Sequence, residues 1–136
     1  MIDFRSQTIY YIVIDRFYSC SGYQNNSESE SPDWNSFWGG TLRGIIEKLD
    51  YLKSLGVTTL WLSPFFEITP ELNDYEQRGS SNFFGYWPKD FKKIDPALLS
   101  KKEDSFLQNK SKTEFDELIS EMHKRDMKLI MDMVTN

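Results

Sequence analysis

The stretch GGTLRGIIEKLDYLKSLGVTTLWLS, residues 39–63, passes from a helical period into a strand without a long connection. Leu42, Ile45, Ile46, Leu49, Leu52 and Leu55 fall on one stripe of a 3.6-residue period, which predicts an amphipathic helix. Thr41 stands where an N-cap hydroxyl accepts an orphan backbone N–H, and Gly56 where a left-handed residue closes the last turn. VTTLWLS follows as a β-branched and aromatic run and is closed by Pro64.

Upstream, TIYYIVI (residues 8–14) is apolar without alternation, the pattern of a strand buried on both faces. The polar stretch of residues 19–36 reads as a long exposed loop. Downstream, a second amphipathic helix is predicted over about residues 112–126, with Phe115, Leu118, Ile119 and Met122 facing inward. Ser111 and Glu114 have the spacing of a capping box. KLIMDMV (residues 128–134) is the third strand, and it delivers Asp132 and then Asn136 at its C-terminal end.

The order is strand, helix, strand, long insertion, helix, strand, which calls for parallel strands with crossover helices in an α/β fold. Two architectures fit that order, a doubly wound sheet and a (β/α)₈ barrel. No G-x-G-x-x-G follows any strand, which weakens the dinucleotide-binding option. The connection from Pro64 to about Lys110 carries NFFGYWPKDF, too aromatic for a plain linker. A barrel presents such loops at its C-terminal mouth. Three parallel strands do not close a barrel, so five further β/α units are expected from elsewhere.

Composition narrows the function classes. At 136 residues with 39% hydrophobic residues, one domain with a real core is expected. The 15% aromatic share suits stacking surfaces for sugar rings as well as core packing. Net charge is −5 with no basic stripe, which argues against nucleic acid as a partner. The longest apolar run, IYYIVI, is too short to span a bilayer. Cys20 is the single cysteine, so no internal disulfide or cysteine-based metal motif is available. The N-terminus has neither the basic nor the apolar region of a signal peptide, and a cytoplasmic location is the default expectation. The matches to N-x-S at Asn25 and Asn109 carry no weight on that basis.

Four stretches occur in order: IYYIVIDRF (9–17), FWGGTLRGIIEKLDYLKSLGVTTLWLSPFFE (37–67), FFGYWPKDFKKIDP (83–96) and LIMDMVTN (129–136). Together they resemble the N-terminal part of the catalytic domain of the α-amylase family of glycoside hydrolases, including the cyclodextrin glucanotransferases. The resemblance implies that residues 1–136 are strands one to three of a partial TIM (β/α)₈ barrel with two crossover helices, truncated before strand four. It implies an α-glucan substrate, such as starch, glycogen or maltodextrin.

The closing DMVTN resembles the family's first signature region, which continues with a histidine after the asparagine. Asp132 matches an aspartate that braces the active site. Asn136 matches an asparagine that binds calcium in many members, so the resemblance implies a calcium ion held through Asn136 in the full-length enzyme. An amide oxygen suits that hard cation, although a full site needs six to eight oxygens. In FFGYW, Tyr86 matches the tyrosine that stacks on the sugar at the cleavage point. Trp87 is its usual neighbour and joins the substrate-binding set, with packing of the loop against the barrel rim as its other role.

The chain departs from the family pattern at several positions. Phe84 stands where a histidine is usual, removing a polar contact near the sugar. Ser19, Ser21 and Thr41 stand where glucanotransferase-like members carry acidic calcium ligands, so that extra site is expected to be absent. His123, the only histidine, lies in the second helix and is expected to be structural or solvated.

Retaining glycoside hydrolysis needs two carboxyl groups roughly 5–5.5 Å apart. By the resemblance these two groups, and a third carboxylate that grips the sugar, come from strands four, five and seven, so no residue of this chain is assigned as catalytic. Asp15, Glu67 and Asp90 are expected to pack in turns or pair with Arg16, Lys89 or Lys92. Residues 1–136 alone are therefore expected to be inactive, with a non-catalytic glucan- or partner-binding remnant as the alternative.

Overall fold

The computed structural model describes residues 3–20, 37–69, 83–100 and 113–135. Ser21, Asn25, Asn109, Ser111 and Asn136, with most of the 19–36 loop, lie outside these residues.

The helix predicted between Thr41 and Gly56 forms as α2, Leu42–Ser54. Thr41 is extended, and its hydroxyl accepts the Gly44 N–H at 3.0 Å. Gly56 adopts φ 81°, a conformation a side chain disfavours, and the chain turns there into the next strand. Leu42, Ile45, Leu49 and Leu52 are fully buried. Burying each contributes about 1.5–3 kcal/mol, far more than helix propensity supplies. Ile46 packs at the core margin, whereas Leu55, predicted on the stripe, is exposed because it lies at the C-cap where the helical period ends.

The strands are β1 (Ile9–Ile12), β2 (Thr59–Leu62) and β5 (Lys128–Met131). They form one parallel sheet in the order β1-β2-β5, with Tyr11 opposite Trp61 and Trp61 opposite Ile130. Ile12, Leu60 and Leu62 join the core with α2 and with α3, Glu114–Lys124. Across the two helices, the Arg43 guanidinium pairs with the Glu117 carboxylate, and that of Arg125 with Asp50.

Several expectations are corrected. The first strand was predicted over residues 8–14 but ends at Ile12, and residues Ile14–Phe17 form one helical turn, α1. Two contacts bend the chain there: Ser63 Oγ accepts the Ile14 N–H, and buried Asp15 turns back onto the backbone of Trp38 and Gly39. Nor is β1 buried on both faces. Ile9 and Tyr11 point to the face opposite Ile12, which the helices do not cover, and Tyr10, on the Ile12 face against Phe17, is itself only half buried.

The capping box of α3 is Thr113 with Asp116, not Ser111 with Glu114. Glu114 is instead buried and accepts the Ser100 hydroxyl at 2.7 Å, so its carboxylate secures the preceding segment. Phe115, Leu118 and Met122 face inward as predicted, with Ile119 at the margin.

The long insertion contains an antiparallel pair, β3 (Phe66–Ile68) with β4 (Pro88–Ile94). Sequence periodicity missed it, because PKDFKKI lacks apolar alternation. Phe65, Phe66 and Ile94 anchor the pair in the core, and the Asp95 side chain accepts the N–H groups of Ile68 and Ala97.

Candidate substrate-binding site

The C-terminal ends of the three parallel strands converge on one region. Ser63 N–H donates to Ile12 O at 2.8 Å, and Asp132 N–H to Leu62 O at 3.2 Å. Asp132 is therefore fixed to β2 immediately beyond β5.

Tyr86 reaches the same place from the loop before β4. Gly85 makes this possible: its φ is 79°, and a Cβ there would lie 2.0 Å from the carbonyl oxygen of Pro64. Only glycine allows so close an approach to the backbone that follows β2. The Tyr86 hydroxyl donates to Asp132 Oδ2 at 2.8 Å, and the Tyr11 hydroxyl of β1 lies 3.0 Å from it. Tyr11 in turn packs edge-to-face on Trp61, with ring centroids 5.2 Å apart. The site is thus assembled from all three strands and one loop. Its aromatic surface stays open to solvent, since Tyr86 is 36% and Trp61 40% exposed.

A buried ion pair supports the loop. Asp15 accepts the N–H groups of Trp38 and Gly39 at 2.9 and 3.0 Å and pairs with Arg16 Nε at 3.2 Å. Burial pushes the Asp15 carboxyl above the usual carboxylate range, opposed by these backbone donors and by the Arg16 charge. The Arg16 guanidinium lies over the Phe83 ring at 3.6 Å and the Trp38 ring at 4.4 Å, which holds the segment leading into Gly85. Gly40 completes the joint, because a Cβ there would sit 2.0 Å from Ile14 O.

Of the residues predicted from sequence, Tyr86 and Asp132 meet directly. Trp87 is exposed, and its carbonyl accepts the Thr69 N–H, so the backbone rather than the indole ties it to the β3–β4 pair. Asn136, the predicted calcium ligand, lies outside the described residues. Among the described residues no group of three or more His, Cys, Asp or Glu side chains is placed to hold a metal ion. Thr41 serves as the α2 cap, and His123 is exposed. Asp15 pairs with Arg16 as expected; Glu67 and Asp90 form their ion pairs with Lys93 and not with Lys89 or Lys92, while Asp90 also accepts the Lys92 backbone N–H at 2.8 Å, as a turn carboxylate does. Tyr11 and Trp61 were not singled out from sequence. Both lie within apolar runs, where an inward-facing ring and a core ring look alike.

The family model for the α-amylase catalytic domain matches residues 11–136.

The chain belongs to the α-amylase family.

A cyclomaltodextrin glucanotransferase of Klebsiella oxytoca is 36% identical over 141 residues, covering 99% of this chain and 19% of the relative. An α-amylase of Saccharomycopsis fibuligera is 37% identical over 132 residues, covering 97% of this chain and 23% of the relative. Among solved structures, an Anoxybacillus α-amylase aligns with a TM-score of 0.71 at 34% identity, covering 100% of this chain and 25% of that one. The chain thus spans roughly a fifth to a quarter of the length of these α-amylase-family relatives. Its parallel sheet with two crossover helices is a partial (β/α)₈ barrel of the α-amylase type. No helix among the described residues is long and apolar enough to cross a membrane.

Proposed function

We propose that the protein carrying this chain is a retaining glycoside hydrolase or transglycosylase acting on α-glucans, and that residues 1–136 supply one wall of its substrate site. The relatives named cyclomaltodextrin glucanotransferase and α-amylase support the reaction class. One observation carries the assignment to this region: Tyr86, held by Asp132, presents a half-open aromatic ring at the C-terminal end of a parallel sheet. That ring suits the apolar face of a glucosyl unit, and parallel α/β sheets bind ligands at this end. Asp132 orients Tyr86 and does no acid–base chemistry in this reading. The two carboxyl groups that retention requires come from strands beyond the three described here. Asn136 would contribute an oxygen to a calcium ion, and the location is cytoplasmic.

The test is an assay of the intact protein on maltoheptaose, with the anomeric configuration of the first product followed by NMR. Release of products with retained α-configuration, and no turnover by residues 1–136 alone, is expected. Glucan binding without turnover by the intact protein would instead support a non-catalytic binding role.

A further inference from the structure

We infer that Tyr11 is a positioning residue that fixes the ring plane of Tyr86 for sugar stacking, an inference that rests on the glucan reading above. The Tyr86 phenol carries one hydrogen, and it is donated to Asp132 Oδ2 at 2.8 Å. A carboxylate can only accept. In the 3.0 Å contact between the two hydroxyls, Tyr11 is therefore the donor and Tyr86 the acceptor. The result is a directed chain from Tyr11 to Tyr86 to Asp132, one that uses both hydrogen-bonding capacities of the Tyr86 hydroxyl.

This chain gives Tyr86 attachments to all three strands of the sheet. Its hydroxyl is tied to β1 through Tyr11 and to the end of β5 through Asp132. Its backbone is held next to the residue after β2, where Gly85 packs on Pro64 O. A half-exposed tyrosine held only at its backbone would sample several rotamers, and a ligand that stacks on it would bear the cost of ordering it. With both ends fixed, the ring is ordered before the sugar arrives. Tyr11 can serve as an anchor because its own ring is braced edge-to-face by Trp61, its register partner in β2. Tyr11 does not need to touch the sugar for this role.

The test is a double-mutant cycle in the intact protein, read as kcat/KM on maltoheptaose. Tyr11→Phe keeps the ring on Trp61 and removes only the donor, so kcat/KM is expected to fall about two- to tenfold, the worth of one neutral hydrogen bond. Tyr86→Phe is expected to fall at least as far, and adding Tyr11→Phe to it should cost nothing more. A role confined to packing around Trp61 would not produce that coupling. Unchanged kinetics for Tyr11→Phe, or equal losses in both backgrounds, would overturn the inference while a loss in Tyr86→Ala keeps the glucan reading intact. If Tyr11→Phe does not fold, Tyr86→Phe alone decides, because wild-type kinetics there show that anchoring the hydroxyl is immaterial. An intact protein that neither binds nor turns over α-glucans sinks the reading and the inference together.

Discussion

The Tyr86 hydroxyl donates to the Asp132 carboxylate at 2.8 Å, joining residues 46 positions apart in the chain. Neither partner lies in regular secondary structure, yet both are fixed by backbone contacts to the segment around Leu62 and Pro64. The end of β2 is thus the common support of the site. Removing the ring while leaving that support tests the sugar platform: Tyr86→Ala in the intact protein should lower kcat/KM on maltoheptaose roughly ten- to a hundredfold, equivalent to about 1.5–3 kcal/mol of lost contact. Thermal stability should change little, because the ring is half exposed.

Gly85→Ala should act in the opposite way, on structure first. A Cβ would enter the Pro64 carbonyl at 2.0 Å, and the residue would keep an unfavourable φ of 79°. Backbone must move, so a loss of about 2–4 kcal/mol is expected in chemical denaturation. Activity should fall with it as Tyr86 leaves Asp132. A variant with wild-type stability would mean that the loop relaxes without strain.

Apolar packing, rather than the interhelix ion pair, should dominate the docking of α2 and α3. Leu49 is fully buried, and Leu49→Ala should cost about 2–5 kcal/mol. Arg43 and Glu117 approach within 2.5 Å, but their side chains are partly solvated at 25% and 44% exposure. Glu117→Gln should therefore cost less than about 1 kcal/mol, and the cost should shrink further in high salt. Urea unfolding of the two variants would rank them directly.

The raised Asp15 carboxyl gives a pH signature. Its folded-state value lies above the unfolded one because burial outweighs the Trp38 and Gly39 donors and Arg16. The folded state then binds its proton at higher pH than the unfolded state does. This group's contribution to stability is fully present below the ordinary aspartate range and is lost as pH rises through the elevated folded value. Asp95 has the same sign, with burial again the leading cause. Asp15→Asn should flatten this part of the profile in unfolding midpoints taken between about pH 3 and 7. A steeper profile in the variant would refute the assignment.

Residues 1–136 produced alone should self-associate and bind a hydrophobic dye. Ile9, Tyr11, Trp61 and Met131 leave apolar surface exposed on the sheet. Among the described residues, β1 and β5 each pair with β2 alone. Apolar patches and open edges of this kind recruit further strands. A monomer with sharp cooperative unfolding in ultracentrifugation and calorimetry would count against this.

The helices and strands were legible because their signals are local. The Leu42, Ile45, Leu49 and Leu52 spacing, the Thr41 hydroxyl and the freedom of Gly56 act within a few turns of chain. They mark where α2 starts, stops and turns into β2, although its stability comes from burying that stripe in the core. Asp132 and Tyr86 were reachable as site residues through sequence resemblance, although nothing in their spacing states that they touch.

What the sequence by itself determined was the order of parallel β/α units and the faces that the two helices turn to the core, since helical periodicity is a short-range property. Tertiary structure alone decided the rest. It placed the α3 cap at Thr113 instead of Ser111, paired β3 with β4 across the insertion, and seated Asp15 under Trp38 and Gly39. It also made Tyr11 the donor to Tyr86. A hydrogen bond between residues 75 positions apart depends on where two strands and a loop come to rest in space, and that position is set by packing of the whole sheet, not by either residue's neighbours in the chain.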